Sequence, residues 1–583
     1  MEPCPGSGTA STMDEMPAPF VHASTSRTPR DVLARVFGHA DFREHQEGVV
    51  SAILAGRDTL VVLPTGGGKS LCYQLPAVLL DGLTVVVTPL IALMRDQVEG
   101  LDRRGIRATM LHHHLEPSEV TDRLEAIAAG QYRLVYVSPE RFRHPGSLEA
   151  MARAGVALLA IDEAHCLSTW GHDFRPDYQR LGEVRERLGR PPVVAVTATA
   201  TPAVREDIRS VLDLRDPFEV VAGFDRPELR WVVRSTPTRE AKRAKLQEIV
   251  AKIRGAGIVY VATRKQADRV LQDLSATGER VACYHAGMPP ADREASQASW
   301  MRGESRIIVA TNAFGMGVDR AGVRFVIHHD LPASLEGYYQ EAGRAGRDRG
   351  ASYAVLLYTP ADRHLQAFML SGSTPDLTLL WDLHAWLAGQ GEVPRDAAWM
   401  ASSLGRKVSV GAVEGALQVL ERAGAIASGP TVRVTRQGRS LAELGIETSV
   451  WVQRRQRDLE RLDRMVAFAE ATTCRKALIL GYFGEMHAGD CGACDVCLEG
   501  RTVTGDASGT EPALGRLARI RDRIAADLEL PAYCVAHDRL LVSLAARPPR
   551  SFEDLLKVRG MSPERARWWA PHLVEGPVPA LEA

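Results

Sequence analysis

No stretch of this 583-residue chain stays apolar for the ~20 residues that a membrane-spanning helix needs. Its opening, MEPCPGSGTASTMDEMPAPF, has neither the basic start nor the apolar run of a secretory signal. Residues 1–29 are therefore expected to be a disordered leader, and the chain to be cytoplasmic without membrane attachment. An excess of charge is also missing: 71 Lys and Arg stand against 72 Asp and Glu, a net charge of −1. That total advertises neither nucleic acid nor a membrane surface, although the two sets can be segregated onto different faces. Cysteine is scarce. Five of the nine (Cys4, Cys72, Cys166, Cys283, Cys534) are scattered, whereas Cys474, Cys491, Cys494 and Cys497 fall within two dozen residues. In a reducing compartment that cluster suits a metal better than a disulfide framework.

What remains is ordinary globular material, 45% hydrophobic and 25% charged, too long for one core and expected to form roughly three to five domains. TLVVLP, LTVVVTP, RLVYVSP, VALLAIDEAH and VVAVTAT form one set of short apolar runs. GIVYVAT, VACYHAG, SRIIVATN, VRFVIHHD and YAVLLYTP form a second. Runs this short, separated by polar loops and amphipathic helices, predict parallel strands in βαβ units. The fold class is α/β, with two doubly wound lobes at 30–222 and 223–370 that meet near VVAGFDRPEL. Residues 376–445 predict two helices and a basic hairpin, the outline of a winged helix. Charged helices then lead into the cysteines over 446–500, a linker covers 501–512, and an all-α unit occupies 513–580.

LPTGGGKS, residues 63–70, ends one predicted strand and opens a helix. Glycines let backbone N–H groups approach phosphate. Thr65, Gly66, Gly67 and Gly68 are thus expected to cradle ATP, with Lys69 on the β/γ-phosphates and Ser70 on Mg2+. The strict pattern has Gly where Leu63 stands. IDEAH supplies Asp162 as a magnesium carboxylate and Glu163 to activate water. QEAGRAGR places Arg344 and Arg347 on one helical face of the second lobe, within reach of a nucleotide held by the first. An arginine inserted in this way is worth about 10³–10⁵ in rate. The segment WGHDFRPDY follows the carboxylates directly. Trp170 and Phe174 offer π-faces to unstacked bases, each worth roughly 1–3 kcal/mol. Arg175 can pair with phosphate, while Tyr178 is expected to fill a hydrophobic gap. The spacing C-x16-C-x2-C-x2-C brings two CxxC steps and a fourth thiolate to one point, a tetrahedral Zn2+ site, with iron–sulfur as the alternative.

These motifs, in this order, resemble the RecQ family of DNA helicases in helicase superfamily 2. The resemblance covers nearly all of 30–365 and implies RecA-like lobes and ATP-driven, 3′-to-5′ unwinding of DNA in repair and recombination. It implies partners among single-stranded and duplex DNA and repair proteins, and leaves the oligomeric state open. FGHADFREHQ resembles the family's adenine-reading segment, which carries over Arg43 and Gln46, but His39 stands where the family has Tyr. VVVTPLIALMRDQV resembles the motif that contacts DNA backbone, with Pro89. TATAT resembles the motif that couples the lobes, with Thr197 and Thr199. VATNAFGMGVDR resembles the motif that joins nucleotide and strand, with Asp319. The aromatic loop after IDEAH matches a family feature. CRKALILGYFGE with CGACDVC resembles the family's zinc module, and 513–580 resembles the helicase-and-RNaseD C-terminal (HRDC) domain. One departure is plain: the family's winged helix follows the zinc module, whereas here the candidate precedes it. Arg433, Arg436 and Arg439 on that hairpin, and Lys557, Arg559, Arg565 and Arg567 near the end, are either phosphate contacts or solvated charges.

Overall fold

The computed structural model describes residues 28–499 except 65, 169–170, 172–174, 316–319, 374–375, 406–407, 409, 439, 445, 447 and 488, together with scattered stretches of 517–574. Seven strands build the first sheet: β1 Thr59–Val62, β2 Leu83–Val87, β3 Ala108–Leu111, β4 Leu134–Val137, β5 Val156–Ile161, β6 Val193–Thr197 and β7 Phe218–Val221. Their order is β3-β4-β2-β5-β6-β1-β7 and every pairing is parallel. Alternation explains the apolar runs. Leu60 and Val62 enter the core on one face, Val61 and Leu63 the core on the other. Both faces are covered, so the strand residues are mostly apolar.

The second sheet holds β8 Leu229–Ser235, β9 Ala256–Tyr260, β10 Val281–Tyr284, β11 Ile307–Ala310, β12 Val323–His328 and β13 Ser352–Tyr358. It is again parallel, in the order β10-β11-β9-β12-β13-β8. Each sheet thus exceeds the five strands read from sequence. β3 and β7 are edge strands of the first sheet and β8 an edge strand of the second, and the expected junction contains the end of β7.

Residues 377–446 carry a core of their own. Helix Leu377–Gln390 is followed by β14 Val393–Pro394, helices Ala397–Ser403 and Val410–Arg422, then β15 Ile426–Ser428 and β16 Thr431–Val434. The strand and the short helix between the two expected helices are additions to the sequence reading. The antiparallel sheet runs β14-β16-β15. Helix Val410–Arg422 is largely buried and packs on helix Asp362–Ser373 at the end of the second lobe, while Arg433 and Arg436 stand exposed on the hairpin.

Helices Thr448–Glu470 and Arg475–Tyr482 then return to the lobes. One continuous apolar cluster joins the first sheet, the second sheet and Leu462, Met465, Phe468, Ile479, Leu480 and Phe483 from these helices. The last unit gathers around Trp569, whose indole donates to the Val535 carbonyl at 3.4 Å. Arg439 and Arg559 lie outside the described residues.

Candidate active site between the lobes

β1, β6 and β5 are neighbours, so the segments after them emerge side by side at one end of the first sheet. After β1 the chain turns through Gly66 and Gly68, both left-handed at φ 83° and 78°, and helix Lys69–Leu79 begins. A side chain at Gly67 would bring Cβ to 2.9 Å from the Pro64 carbonyl, so that glycine is required by space. Leu63, the departure from the strict pattern, has a structural task. Its side chain is buried in the core, its N–H donates to the Thr197 carbonyl at 3.1 Å, and its carbonyl accepts from Lys69 Nζ at 3.3 Å.

Arg43 and Gln46 lean on the same loop. Arg43 donates to the Gly66 carbonyl, and Gln46 Nε2 to those of Gly68 and Gly67 at 3.2 and 3.4 Å. Gln46 Oε1 accepts the Arg43 N–H at 2.9 Å, which locks the two together. His39, Arg43, Gln46, Ser70 and the loop border a cleft of about 920 Å³ whose far wall includes Arg344 and Arg347.

The carboxylates follow β5. The Asp162 N–H continues the ladder to the Val87 carbonyl at 2.8 Å, and its Oδ1 accepts the Glu163 N–H at 3.0 Å. Glu163 is left-handed at φ 49° and ψ 47°, a conformation that costs a non-glycine residue about 1–2 kcal/mol. Burial, reinforced by the neighbouring Glu163, pushes the Asp162 carboxyl up to about 7, with Lys69 opposing. Burial pulls Lys69 down against the opposing pull of Glu163 and Asp162. His165, to which the sequence reading gave no role, ties two motifs together. Its Nδ1 lies 3.3 Å from Glu163 Oε2 and 2.9 Å from Thr197 Oγ1. Thr197 Oγ1 in turn donates to the Thr199 carbonyl and accepts the Thr199 N–H, at 3.2 and 3.3 Å. The register brings Thr197 level with Val62 just before the phosphate loop. Pro89 follows β2, the neighbour of β5 on the other side.

Arg175 lines a second interlobe cleft with His165, Tyr260, Asn312 and Arg344. Thr65, Trp170, Phe174 and Asp319 lie outside the described residues. Tyr178 is fully buried in the core, and its hydroxyl donates to the Asp162 carbonyl at 3.3 Å. It therefore fills space behind the carboxylates. Tyr178→Phe should cost about 1 kcal/mol and Tyr178→Ala about 3–5 kcal/mol. Both values are read as lowered urea midpoints, and a Tyr178→Ala chain as stable as the parent would remove the ring from the core account.

Arg344 and Arg347 correct one expectation. They do not share a helical face, because helix Leu335–Ala342 ends before them. Gly343 caps it, two short turns follow, and Gly346 at φ 71° sends its N–H to the Val323 carbonyl at 3.1 Å. Two glycines in four residues break the helix. The turn nevertheless brings both arginines to the cleft between the lobes. Arg347 lies over Gly66, with its Cγ and Cδ each 3.8 Å from where a Cβ would stand. Buried Arg344 packs on Gly315, its Cζ 3.0 Å from a Cβ position there.

The four clustered cysteines converge, all ligand atoms within 4.8 Å of one another. Cys491 and Cys497 sulfurs are 3.9 Å apart, Cys494 and Cys497 3.3 Å. Tetrahedral Zn–S bonds imply separations of about 3.8 Å. Backbone N–H groups of Ala493 and Cys494 point at Cys491 Sγ from 3.5 and 3.3 Å, and that of Arg475 at Cys494 Sγ from 3.4 Å. Donors aimed at sulfur favour thiolate. The set fits one zinc ion; an iron–sulfur cluster, with several metal atoms inside, needs its sulfurs further apart.

Comparison with known proteins agrees with this layout. Residues 43–208 match the DEAD/DEAH box helicase family, 241–349 the helicase conserved C-terminal domain, 437–498 the RecQ zinc-binding family and 511–574 the HRDC domain. The ATP-dependent DNA helicase RecQ of Haemophilus influenzae is 37% identical over 476 residues, 81% of this chain and 64% of its own. The probable ATP-dependent DNA helicase RecS of Bacillus subtilis is 36% identical over 470 residues, 80% of this chain and 91% of its own. RecQ of the same organism is 34% identical over 497 residues, covering 85% and 71%. The chain spans 64% of the length of the Haemophilus influenzae and Pasteurella multocida relatives. Among the described residues no helix is long and apolar enough to cross a membrane. Two parallel-sheet lobes, a four-cysteine module behind them and RecQ and RecS relatives 34–37% identical over 80–85% of the chain place it in the RecQ family of helicases.

Proposed function

We propose that this chain is an ATP- and magnesium-dependent DNA helicase that moves 3′ to 5′ and serves DNA repair and recombination. The observation that carries the reading is Arg347 of the second lobe lying over Gly66 of the phosphate loop, while Asp162 and Glu163 follow the neighbouring strand β5 in the first. The relatives are named as ATP-dependent DNA helicases, which supports the same reading. Lys69 and the loop amides bind the phosphates, and Arg43 and Gln46 steady the loop from its carbonyl side. Ser70 and Asp162 would hold Mg2+, which would supply charge neutralisation for the phosphates when bound. Glu163 orients the attacking water and takes its proton, and Arg347 stabilises the charge that develops as the lobes close. Asp319 joins nucleotide to strand. Cycles of closure and opening, with the strand held by its phosphates near Pro89 and Arg175, convert hydrolysis into steps.

Side-by-side unwinding of 3′-tailed, 5′-tailed, forked and four-way DNA tests the polarity. The 3′-tailed duplex should open, and preference for a 5′ tail would overturn the direction. ATPase stimulated by RNA but not by DNA would overturn the substrate. Coupling is assigned to the loop after the carboxylates, Trp170, Phe174 and Arg175, with His165, Thr197 and Thr199 carrying its state to Glu163. Phe174→Ala should keep its melting temperature and basal hydrolysis, bind single-stranded DNA, and lose DNA stimulation and unwinding. Arg175→Ala should behave alike, with a further loss of binding at low salt. Full stimulation in Phe174→Ala would mean that the loop is not the coupler.

A further inference from the structure

Residues 224–228, which lead from β7 of one lobe to β8 of the other, hold the arginine-bearing turn and the helix before it. Tyr339 Oη donates to the Phe224 carbonyl at 2.9 Å. Arg226, buried, sends Nη1 to the Gly343 carbonyl at 3.2 Å and Nη2 to the Ala345 carbonyl at 3.0 Å. Glu228 fixes that guanidinium through Nε at 2.6 Å and packs on Gly346, where an added Cβ would stand 2.8 Å from Glu228 Cγ. The same connector is held from behind by the cysteine module. The Phe224 ring stacks on Phe483 at 4.2 Å with 8° between planes, its N–H donates to Glu485 Oε1 at 2.8 Å, and Lys476 pairs with Asp225 at 2.7 Å.

We propose that Arg226 is a positioning residue for Arg344 and Arg347, and that the connector relays the seating of the cysteine module to that turn. The proposal rests on the reading of Arg347 as the residue that completes the nucleotide site. Gly343 and Gly346 offer no side chain with which to anchor the turn. Its place is therefore set largely by backbone bonds, that of the Gly346 N–H to the Val323 carbonyl and the two that Arg226 makes to carbonyls, and a charged donor that bonds two carbonyls at once is a stiff anchor. Gly343 and Ala345 flank Arg344, and Arg347 follows two residues on. Misplacing a reacting group by about 1 Å can cost 10²-fold in rate. A shift of Phe224 on Phe483 moves Arg226, and with it both arginines.

The test uses the full chain, with zinc content, nucleotide affinity and steady-state ATPase measured together. Arg226→Met should keep about one zinc per chain and its ATP KM, yet lose roughly 10²-fold in kcat. Arg226→Lys should regain part of that loss, and Glu485→Ala should lower kcat in the same direction by less. Combining Arg226→Met with Arg347→Ala should add little to Arg347→Ala alone, since both remove one interaction. Parental kcat in Arg226→Met, a defect confined to KM (a direct nucleotide contact), or losses that multiply in the double variant would each overturn the proposal. A slow Arg347→Ala beside a normal Arg226→Met sinks the positioning role alone; a normal Arg347→Ala sinks the reading beneath it. Should Arg226→Met fail to fold, Arg226→Lys and Glu485→Ala decide, and parental kcat in both overturns it.

Discussion

Lys69→Ala should give a folded protein with no measurable ATP hydrolysis or unwinding. Burial works against the Lys69 ammonium while Glu163 and Asp162 favour it, and its bond to the Leu63 carbonyl is a single neutral acceptor, so removing the side chain should cost the fold little. What is lost is the cation that would meet the phosphates. Arg347→Ala separates binding from chemistry. Lying over Gly66 rather than within the first lobe, Arg347 contributes only when the lobes are together. Nucleotide affinity should therefore stay within a few-fold of the parent while turnover falls by about 10³ or more, about 4 kcal/mol of transition-state stabilisation. Arg344→Ala should fall in the same direction by less. Steady-state ATPase beside the dissociation constant of a nucleotide analogue measures both. An Arg347→Ala enzyme with near-parental turnover removes that residue from the mechanism.

The strands legible in the sequence were those with apolar neighbours on both faces. β2, β4, β5 and β6 are unbroken runs because each is buried from above and below. Three of the four edge strands, β3, β7 and β8, are not legible for the complementary reason, whereas the fourth, β10, is legible as VACYHAG. β8 alternates, with Leu229, Trp231 and Val233 buried and Arg230 exposed, so LRWVVRS reads as a mixed segment beside a junction. β3 carries Thr109, and β7 carries Glu219 and is mostly half-buried, so neither reads as an unbroken apolar run. The phosphate loop and the carboxylates were legible because their chemistry is local: glycines, a lysine and two acids within a few residues. The spacing of three between Arg344 and Arg347 suggests a helix, but Gly343 before the pair and Gly346 within it decide otherwise. The links among motifs were not legible at all. Nothing in IDEAH or TATAT says that His165 meets Thr197; that contact exists because β5 and β6 are neighbours. Arg226 sits in no motif, and its partners are backbone carbonyls more than a hundred residues away, which carry no residue signature.

Cys494→Ser should yield zinc-free protein that is insoluble or rapidly cut by protease, with the damage reaching beyond the cysteine module. The four sulfurs converge on one point, and three left there bind zinc far more weakly. Structural zinc contributes about 10–16 kcal/mol of apparent binding energy. That matches or exceeds the ~5–15 kcal/mol by which a whole domain is stable. The module cannot fail in isolation, because Cys474, Cys494 and Cys497 belong to the same apolar cluster as both lobes. Asp495, between two of the ligands, is buried against Arg475 at 3.1 Å and accepts the Val233 N–H of β8 at 2.9 Å. Losing the metal frees that carboxylate from its place and leaves a buried guanidinium and a strand N–H without their acceptor, a cost of about 3–5 kcal/mol for the charge alone. Limited proteolysis should therefore cut near residues 470–499 first and then in the second lobe, in parallel with loss of zinc by metal analysis. Chelation of the parent protein at raised temperature should reproduce the same order of cuts. A soluble Cys494→Ser chain with parental protease resistance would reduce the cluster to an ornament of the fold, and iron with a visible charge-transfer band in the parent would replace zinc altogether.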